Sequence, residues 1–304
     1  MNVVSVLNRL KNVIPQENII VSEPMKKHTS FKIGGPADIF VFPQDEHEIS
    51  FIVKTCNDAG IPYYLIGNGS NILVRDKGIR GVVINTSKLF DKFNIYENII
   101  SAQSGILLSQ LANAALQAEL TGMEFASGIP GTLGGAVFMN AGAYGSEMKD
   151  IVIETEYLKI DGTIEKVTDE AHKFGYRQSI FQQEGYIILQ SKLMLKKGNK
   201  QDIKTLMNEL SLQRNAKQPM TLHSAGSVFK RPPGFYAGKL IEDCGLKGAR
   251  IGGAQVSERH AGFIVNTDNA TAQDVIRLIY IIKDKVKQKF NIELQTEIKI
   301  IGEE

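Results

Sequence analysis

Three side chains in this sequence have the chemistry to take part in a reaction. Arg177, in "GYRQS", holds a permanent charge on a planar fork that grips a carboxylate through two parallel hydrogen bonds. Ser227, in "SAGSVFKRP", offers a hydroxyl, and Lys230 and Arg231 follow it closely enough in sequence to steady an oxygen anion. Glu297, in "QTEIKI", sets a carboxyl inside an apolar alternation, an expensive place if it is buried and unpaired. Each also has a plain structural reading: an arginine beside a strand, a serine capping a turn after Gly226, a glutamate on the outer face of a strand. No G-x-S-x-G elbow occurs, so no Ser-His-Asp reading is supported. The five histidines are scattered without metal-ligand spacing, and no catalytic metal is expected. His260, in "SERHAGFIVN", reads as a packed or loop histidine.

Two glycine clusters could hold a ligand. "LIGNGSN" places Gly67, Asn68, Gly69, Ser70 and Asn71 directly after a strand, where amides can converge on an anion and the Asn and Ser side chains can add donors. "GIPGTLGGAVFMNAGAYG" (128–145) has six glycines in 18 residues, against 28 in the 304 of the chain, so ordering it costs unusual backbone entropy. Gly128, Gly131, Gly134 and Gly135 would let the backbone lie flat against a long ligand; Asn140 offers an amide, and Gly142 and Gly145 continue the open chain. Neither cluster is a G-x-G-x-x-G fingerprint, and "GFYAGKL" (234–240) misses a Walker A loop by one spacer and by Leu240. The backbone suits a long pyrophosphate-bearing cofactor better than nucleotide hydrolysis.

The elements that must position these groups follow from periodicity. Helical spacing predicts a short helix over Val3–Ile14, a second opening at Asp45 and closing at Gly60, and a third over Ile106–Gly122 with Gly122 as its stop. Asp38–Pro43, "IPYYLI", "GVVIN" and "NIISAQSG" read as strands. Asp161-Gly162 joins two strands as a hairpin, and "GYIILQSKLMLKKG" adds another. A helix over "QDIKTLMNELSLQRNAKQP" is expected to begin a new domain. The last helix starts at Thr271, with Asp274 completing a capping box and Val275, Ile279, Ile282, Val286 and Phe290 on one apolar face. "LQTEIKIIG" ends the chain as a strand.

At 304 residues the chain is long enough for two or three domains. Its 43% hydrophobic and 22% charged residues are ordinary for a globular enzyme, and a net charge of +2 is too small to argue for nucleic acid or an anionic membrane. Neither Cys56 nor Cys244 sits in a C-x-x-C pair, so two reduced thiols are expected. No run of 18 apolar residues exists and the N-terminus lacks a signal core, so the expected location is the cytoplasm, with no membrane partner.

Taken in series, the motifs resemble the flavin-dependent UDP-N-acetylenolpyruvoylglucosamine reductases of bacterial wall synthesis. "HTSFKIGGPAD" (28–38), "LIGNGSNILV" (65–74) and the 128–145 stretch are similar to that family's FAD-binding segments. "YRQSIF" (176–181), "SAGSVFKRP" (224–232) and "LQTEIKIIG" (294–302) are similar to its active-site segments. The match runs through nearly the whole chain, in order, and the chain looks like the family's shorter form. The resemblance implies an α+β fold: a two-lobed FAD-binding domain of the vanillyl-alcohol-oxidase type plus an α+β substrate-binding domain. Lobe 1 would cover 1–85, lobe 2 would cover 86–200 joined by the C-terminal strand 291–304, and the substrate domain would cover 201–290.

The implied reaction is NADPH-dependent, FAD-mediated reduction of the enolpyruvyl group of a UDP-sugar in peptidoglycan precursor synthesis, and so a part in cell shape and division. Arg177 would hold the charge that develops beside the substrate carboxylate, Ser227 would supply the proton, and Glu297 would either anchor the carboxylate or pass the proton. Ser30, Gly67, Asn68, Gly69, Ser70, Asn71, Gly131, Thr132, Gly134, Gly135, Asn140 and Gly142 would bind FAD. Tyr176, Arg214, Lys217 and Asn266 would bind the substrate's diphosphate and sugar. A monomer is expected. Two other readings share the glycine clusters: an FAD oxidase or dehydrogenase acting on alcohols or hydroxy acids, and a non-catalytic flavin or UDP-sugar binding module.

Overall fold

The computed structural model describes residues 2–182 and 185–304. They fold into two compact units, each assembled from several stretches of chain: unit 1 takes Met1–Val21, Asp38–Asn68 and Gly81–Arg214, and unit 2 takes Ser22–Ala37, Gly69–Arg80 and Asn215–Glu304.

Unit 1 is built on two sheets. In the first, the strands Ile19–Pro24, Pro36–Val41, Ile79–Asn85 and Tyr63–Ile66 lie side by side in that order. The last two run parallel, with Tyr63 opposite Val82. Parallel neighbours need a covered sheet, and the helices Val3–Leu10 and Glu46–Ala59 supply buried Val6, Leu10, Ile49, Ile52 and Val53 to the same core as Ile39, Val41, Val82 and Ile84. Asp45 caps the second helix, accepting from the Glu48 amide at 2.8 Å, and Gly60 closes it at φ 64°.

The second sheet is antiparallel, in the order Ile164–Thr168, Val152–Leu158, Ile187–Met194, Ile99–Gln103, Phe93–Tyr96. Its hairpin at Asp161-Gly162 forms as expected, Leu158 facing Ile164. The helices Leu108–Gln117 and Leu133–Met139 share this sheet's core through Leu108, Leu111, Leu133 and Val137. Gly122 does not end the third helix: it stops at Gln117, and Leu120–Thr121 pairs as a short strand with Lys196–Lys197.

One histidine is sealed into unit 1. His172 is fully buried and stacks on Phe174 at 4.8 Å. Its Nδ1 faces the Asp169 carbonyl at 2.9 Å, so that nitrogen carries the proton, and Nε2 accepts from Thr155 Oγ1 at 3.0 Å. Burial pushes its pKa below the usual value, more than the Asp169 carbonyl raises it. The unfolded chain therefore takes up this proton first. Stability should fall as pH drops through the unfolded value of about 6.5, and stop falling once the lower folded value is passed. We expect the urea midpoint of the wild type to fall more between pH 7.5 and 5.5 than that of His172→Gln; equal slopes would contradict this.

Unit 2 is organised around the Ala272–Phe290 helix. Thr271 and Asp274 form the capping box, and Val275, Leu278, Ile279, Ile282 and Val286 are buried. Burial of each such side chain is worth roughly 1.5–3 kcal/mol. They pack with Phe31, Leu73, Val228, Val256 and Ile298. Two stretches depart from expectation. The Lys200–Lys217 helix does not open a new unit, since residues up to Arg214 belong to unit 1. The terminal strand is only Lys299–Ile301, and it pairs in parallel with Ile72–Val74 rather than with residues 86–200.

Candidate active site

In unit 1, Tyr63–Ile66 delivers the chain to Gly67, whose α-carbon faces Thr132 so closely that a Cβ would lie 2.2 Å from Thr132 Oγ1. Thr132 caps the Leu133–Met139 helix, its hydroxyl accepting from the Gly135 amide at 3.4 Å. The amides of Leu133 and Gly134 are spent on the carbonyls of Ile106 and Ser104, both at 2.8 Å. A Cβ on Gly134 would sit 2.7 Å from Ser104 Cβ, whereas one on Gly135 would meet only Thr132 Oγ1 at 3.6 Å. Glycine is therefore required at 67 and 134 by the protein's own packing and leaves a bare face at 135. A face free of side chains, its donors turned inward, fits a flat ring system better than a lone anion. Asn68 donates to the Pro130 carbonyl at 2.7 Å, tying the two glycine clusters together, and Gly131 accepts from the Leu108 amide at 3.0 Å.

The collision at Gly67 gives a test of this contact. Gly67→Ala should lower the thermal midpoint, with overpacking of about 1–3 kcal/mol. Adding Thr132→Ala removes the atoms in the way at the cost of the cap, about 1 kcal/mol. The double variant should be no less stable than Gly67→Ala alone. Simple addition of the two losses would show that the contact does not limit the site.

The other half of the first cluster, Gly69–Asn71, belongs to unit 2. Gly69 accepts from the Ser30 amide at 3.1 Å, and Ser70 is half-buried beside it. Asn71 reaches the candidate catalytic glutamate: its Nδ2 donates to the Glu297 carbonyl at 3.4 Å, and its own carbonyl accepts from the Lys299 amide at 3.0 Å.

Unit 2 also brings Ser227 and Glu297 onto neighbouring segments. The Glu297 amide donates to the Val228 carbonyl at 2.8 Å, Phe229 bridges to Thr296, and the Lys230 amide donates to the Gln295 carbonyl at 2.9 Å. Glu297 is thus not inside the terminal strand, as its sequence setting suggests, but just before it, half-buried. Ser227 Oγ donates to the Phe229 carbonyl at 3.1 Å. Arg231 lies 4.0 Å from the centre of the Tyr236 ring and donates to the Phe235 carbonyl at 3.3 Å. His260 is a packed histidine, as expected: its Nδ1 accepts from the Gly262 amide at 3.1 Å, its ring meets Phe263 edge-on at 5.1 Å, and burial pushes its pKa down. Sequence reasoning missed its closeness to the site. A Cβ on Gly262 would lie 2.9 Å from the ring and 3.5 Å from Ser227 Oγ.

Arg177 stands in unit 1 on a loop with unusual geometry. Its φ is 55°, a conformation costing a non-glycine residue on the order of 1–3 kcal/mol. Gly175 and Gln178 exchange backbone hydrogen bonds at 3.0 and 3.2 Å around it, and its guanidinium lies 5.1 Å from the exposed Tyr176 ring. The loop is pinned to the C-terminal end of the Leu133–Met139 helix. Ser179 Oγ donates to the Phe138 carbonyl at 2.7 Å, and Asn140 Nδ2 donates to the Gly175 carbonyl at 3.0 Å. The short helix that begins at the Thr132 turn therefore ends at the Arg177 loop.

Several expected ligand-binding residues are occupied otherwise. Asn140 is fully buried; besides Gly175 it donates to Glu147 at 2.8 Å and accepts from the Lys149 amide at 2.9 Å. Gly142 belongs to a small hairpin in which a Cβ would meet the Ser146 carbonyl at 2.6 Å. Asn266 donates to the Phe31 carbonyl at 3.1 Å and accepts from the Ala270 amide at 2.9 Å. It also lines an open cavity of about 660 Å³ with Lys26, Lys27, Lys32, His223 and Thr267–Asn269. Lys217 is exposed at the end of its helix. Arg214 fits a binding role better. Its Nε is buried without a hydrogen-bond partner, burial pushes its pKa down, and its Cδ lies 3.2 Å from where a Gly128 Cβ would be. Among the described residues, no cluster of three His, Cys, Asp or Glu could hold a metal ion, and no helix is long and apolar enough to cross a membrane.

Comparison with known proteins completes the picture. A family model described as "FAD binding domain" matches residues 37–168, and one described as "UDP-N-acetylenolpyruvoylglucosamine reductase, C-terminal domain" matches residues 218–301. The UDP-N-acetylenolpyruvoylglucosamine reductase of Alkaliphilus oremlandii is 53% identical over 97% of this chain and 97% of its own. The crystal structure of UDP-N-acetylenolpyruvylglucosamine reductase from Thermus caldophilus covers 93% of this chain and 97% of its own, with 34% identity and a TM-score of 0.79. The grass pollen allergen Phl p 4, described as having glucose dehydrogenase activity, covers 64% of this chain and 44% of its own at 16% identity and a TM-score of 0.51, a likeness of fold alone. The α+β, FAD-binding fold class expected from the sequence is borne out.

Proposed function

This chain belongs to the UDP-N-acetylenolpyruvoylglucosamine reductase family, and on that premise we propose that Arg177, Ser227 and Glu297 carry its reaction. The protein is an FAD-dependent oxidoreductase that reduces the enolpyruvyl group of UDP-N-acetylglucosamine-enolpyruvate to UDP-N-acetylmuramate for peptidoglycan synthesis, with NADPH as reductant. Bound FAD supplies hydride transfer, from NADPH to the far carbon of the substrate's double bond. The bare turn at Gly67, Thr132 and Gly135 suits its flat ring system. Gly131 and Gly134, with Asn68 and with Ser30, Gly69, Ser70 and Asn71, are the other residues assigned to hold it. Asn140 and Gly142 support that region from within the fold.

Two tasks then fall to the protein. Negative charge grows on the carbon beside the substrate carboxylate and spreads into that carboxylate; Arg177 holds it there. The same carbon needs one proton, which Ser227 gives from Oγ after turning away from the Phe229 carbonyl. Glu297, on the segment alongside Ser227, steadies the carboxylate end. The pairing of those two segments through Val228–Glu297 and Phe229–Thr296 is the observation that carries this assignment. Tyr176 and Arg214 are assigned to the substrate's sugar and diphosphate, with Lys217 and Asn266 as outer contacts.

We also assign the enzyme to the cytoplasm, as a monomer, serving cell shape and division through its product. Two free cysteines are in keeping with that compartment; burial pushes the Cys56 thiol up to about 12, so it is inert. The reaction is tested by adding NADPH anaerobically to the yellow protein and then adding the enolpyruvyl UDP-sugar. Bleaching followed by return of the colour is expected. Bleaching by an alcohol or hydroxy acid, with no response to the UDP-sugar, would favour an oxidase instead.

A further inference from the structure

We infer that Gln182 is the positioning residue of Arg177: its side-chain amide locks the strained backbone that aims the guanidinium. The inference rests on the role proposed for Arg177. Gln182 Nε2 donates to the Arg177 carbonyl at 2.8 Å and to the Phe138 carbonyl at 3.2 Å. One amide group thus ties the peptide that follows Arg177 to the end of the Leu133–Met139 helix. That helix begins at Thr132, on the turn assigned to the cofactor, so the amide also references Arg177 to that turn.

The need for such a lock is local. Arginine at φ 55° is held against its own preference, and such a conformation persists only where the surroundings fix it. The Gly175–Gln178 exchange closes the loop on itself, and Ser179 and Asn140 fasten its flanks to Phe138 and Gly175. Gln182's contact is made directly to a backbone atom of Arg177. Without it, the peptide after Arg177 loses its tie to the helix end, and the long side chain magnifies any rotation of that peptide at the guanidinium. Charge stabilisation depends steeply on such placement. Gln182 touches no reacting atom.

The test uses two variants in the FAD-loaded enzyme. Gln182→Met keeps the length and loses the donor; Gln182→Glu keeps the shape and loses both N–H groups. Each should lower kcat by about 30-fold, with KM for the UDP-sugar changed less than about threefold. Bleaching by NADPH should keep its wild-type rate, and the thermal midpoint should stay within a few degrees. In an Arg177→Lys background, Gln182→Met should cost less than about threefold, because the two act as one unit. An unchanged kcat, or an equal loss in both backgrounds, overturns the inference. Should Gln182→Met fail to fold, the Glu variant carries the same comparison. Full activity in Arg177→Met, by contrast, would overturn the reading of Arg177 itself.

Discussion

Ser227→Ala should cost about 1,000- to 10,000-fold in kcat, the upper range for loss of a positioned proton donor. It should do so without disturbing the fold. Ser227 sits on a segment fixed by its backbone: Ser227 bridges Phe263, and the Val228 amide donates to the Gly262 carbonyl at 2.8 Å. The hydroxyl's contact with Phe229 is a single neutral hydrogen bond, worth about 1 kcal/mol. Stability should therefore move little, while a carbanion left without its proton source waits for water. Retention of more than a tenth of wild-type kcat would remove Ser227 from the role assigned here.

Arg177→Met ranks second, with an expected loss of about 100- to 1,000-fold in kcat/KM, the size seen when one preorganised partner of a growing charge is deleted. Part of this loss should appear in KM, because the same fork grips the substrate carboxylate before any charge develops. Arg177→Lys should recover some of it and not all: the ammonium restores the charge but not two parallel hydrogen bonds. Methionine at 177 must also adopt the positive φ, so its thermal midpoint should be compared with that of Arg177→Lys before the kinetics are read. If Lys and Met perform alike, the charge is not what matters at this position.

Much of the fold was legible because local rules act locally. Asp45 and Gly60 mark both ends of one helix, Thr271 and Asp274 open another, and Asp161-Gly162 turns a hairpin. The errors arose where a partner far away in sequence decides. Leucine and alanine favour a helix through to Gly122, yet pairing of Leu120–Thr121 with Lys196–Lys197 ends it early. The alternation at 294–302 reads as one strand, but only Lys299–Ile301 finds a continuous neighbour, and that neighbour lies some 230 positions earlier.

The site divides in the same way. The glycine clusters are visible in the sequence, but one reason for them is not: Gly67 and Gly134 also answer to the close approach of Thr132 and Ser104. Asn140 carries the right side chain for binding and spends it on Glu147 and Gly175. Gln182 gave no signal, because a supporting residue has no composition or spacing of its own, and the packed His260 gave none of its closeness to Ser227. The positive φ of Arg177, which reveals the need for support, is invisible in a string of letters.

The central claim is that Ser227 serves the second half of the reaction and not the first. Anaerobic stopped-flow on wild type and Ser227→Ala, each loaded with FAD, separates the two halves in one experiment. NADPH should bleach both proteins at the same rate, and the enolpyruvyl UDP-sugar should restore the variant's colour about 1,000-fold more slowly or worse. Equal slowing of both phases, or recovery at the wild-type rate, would contradict it.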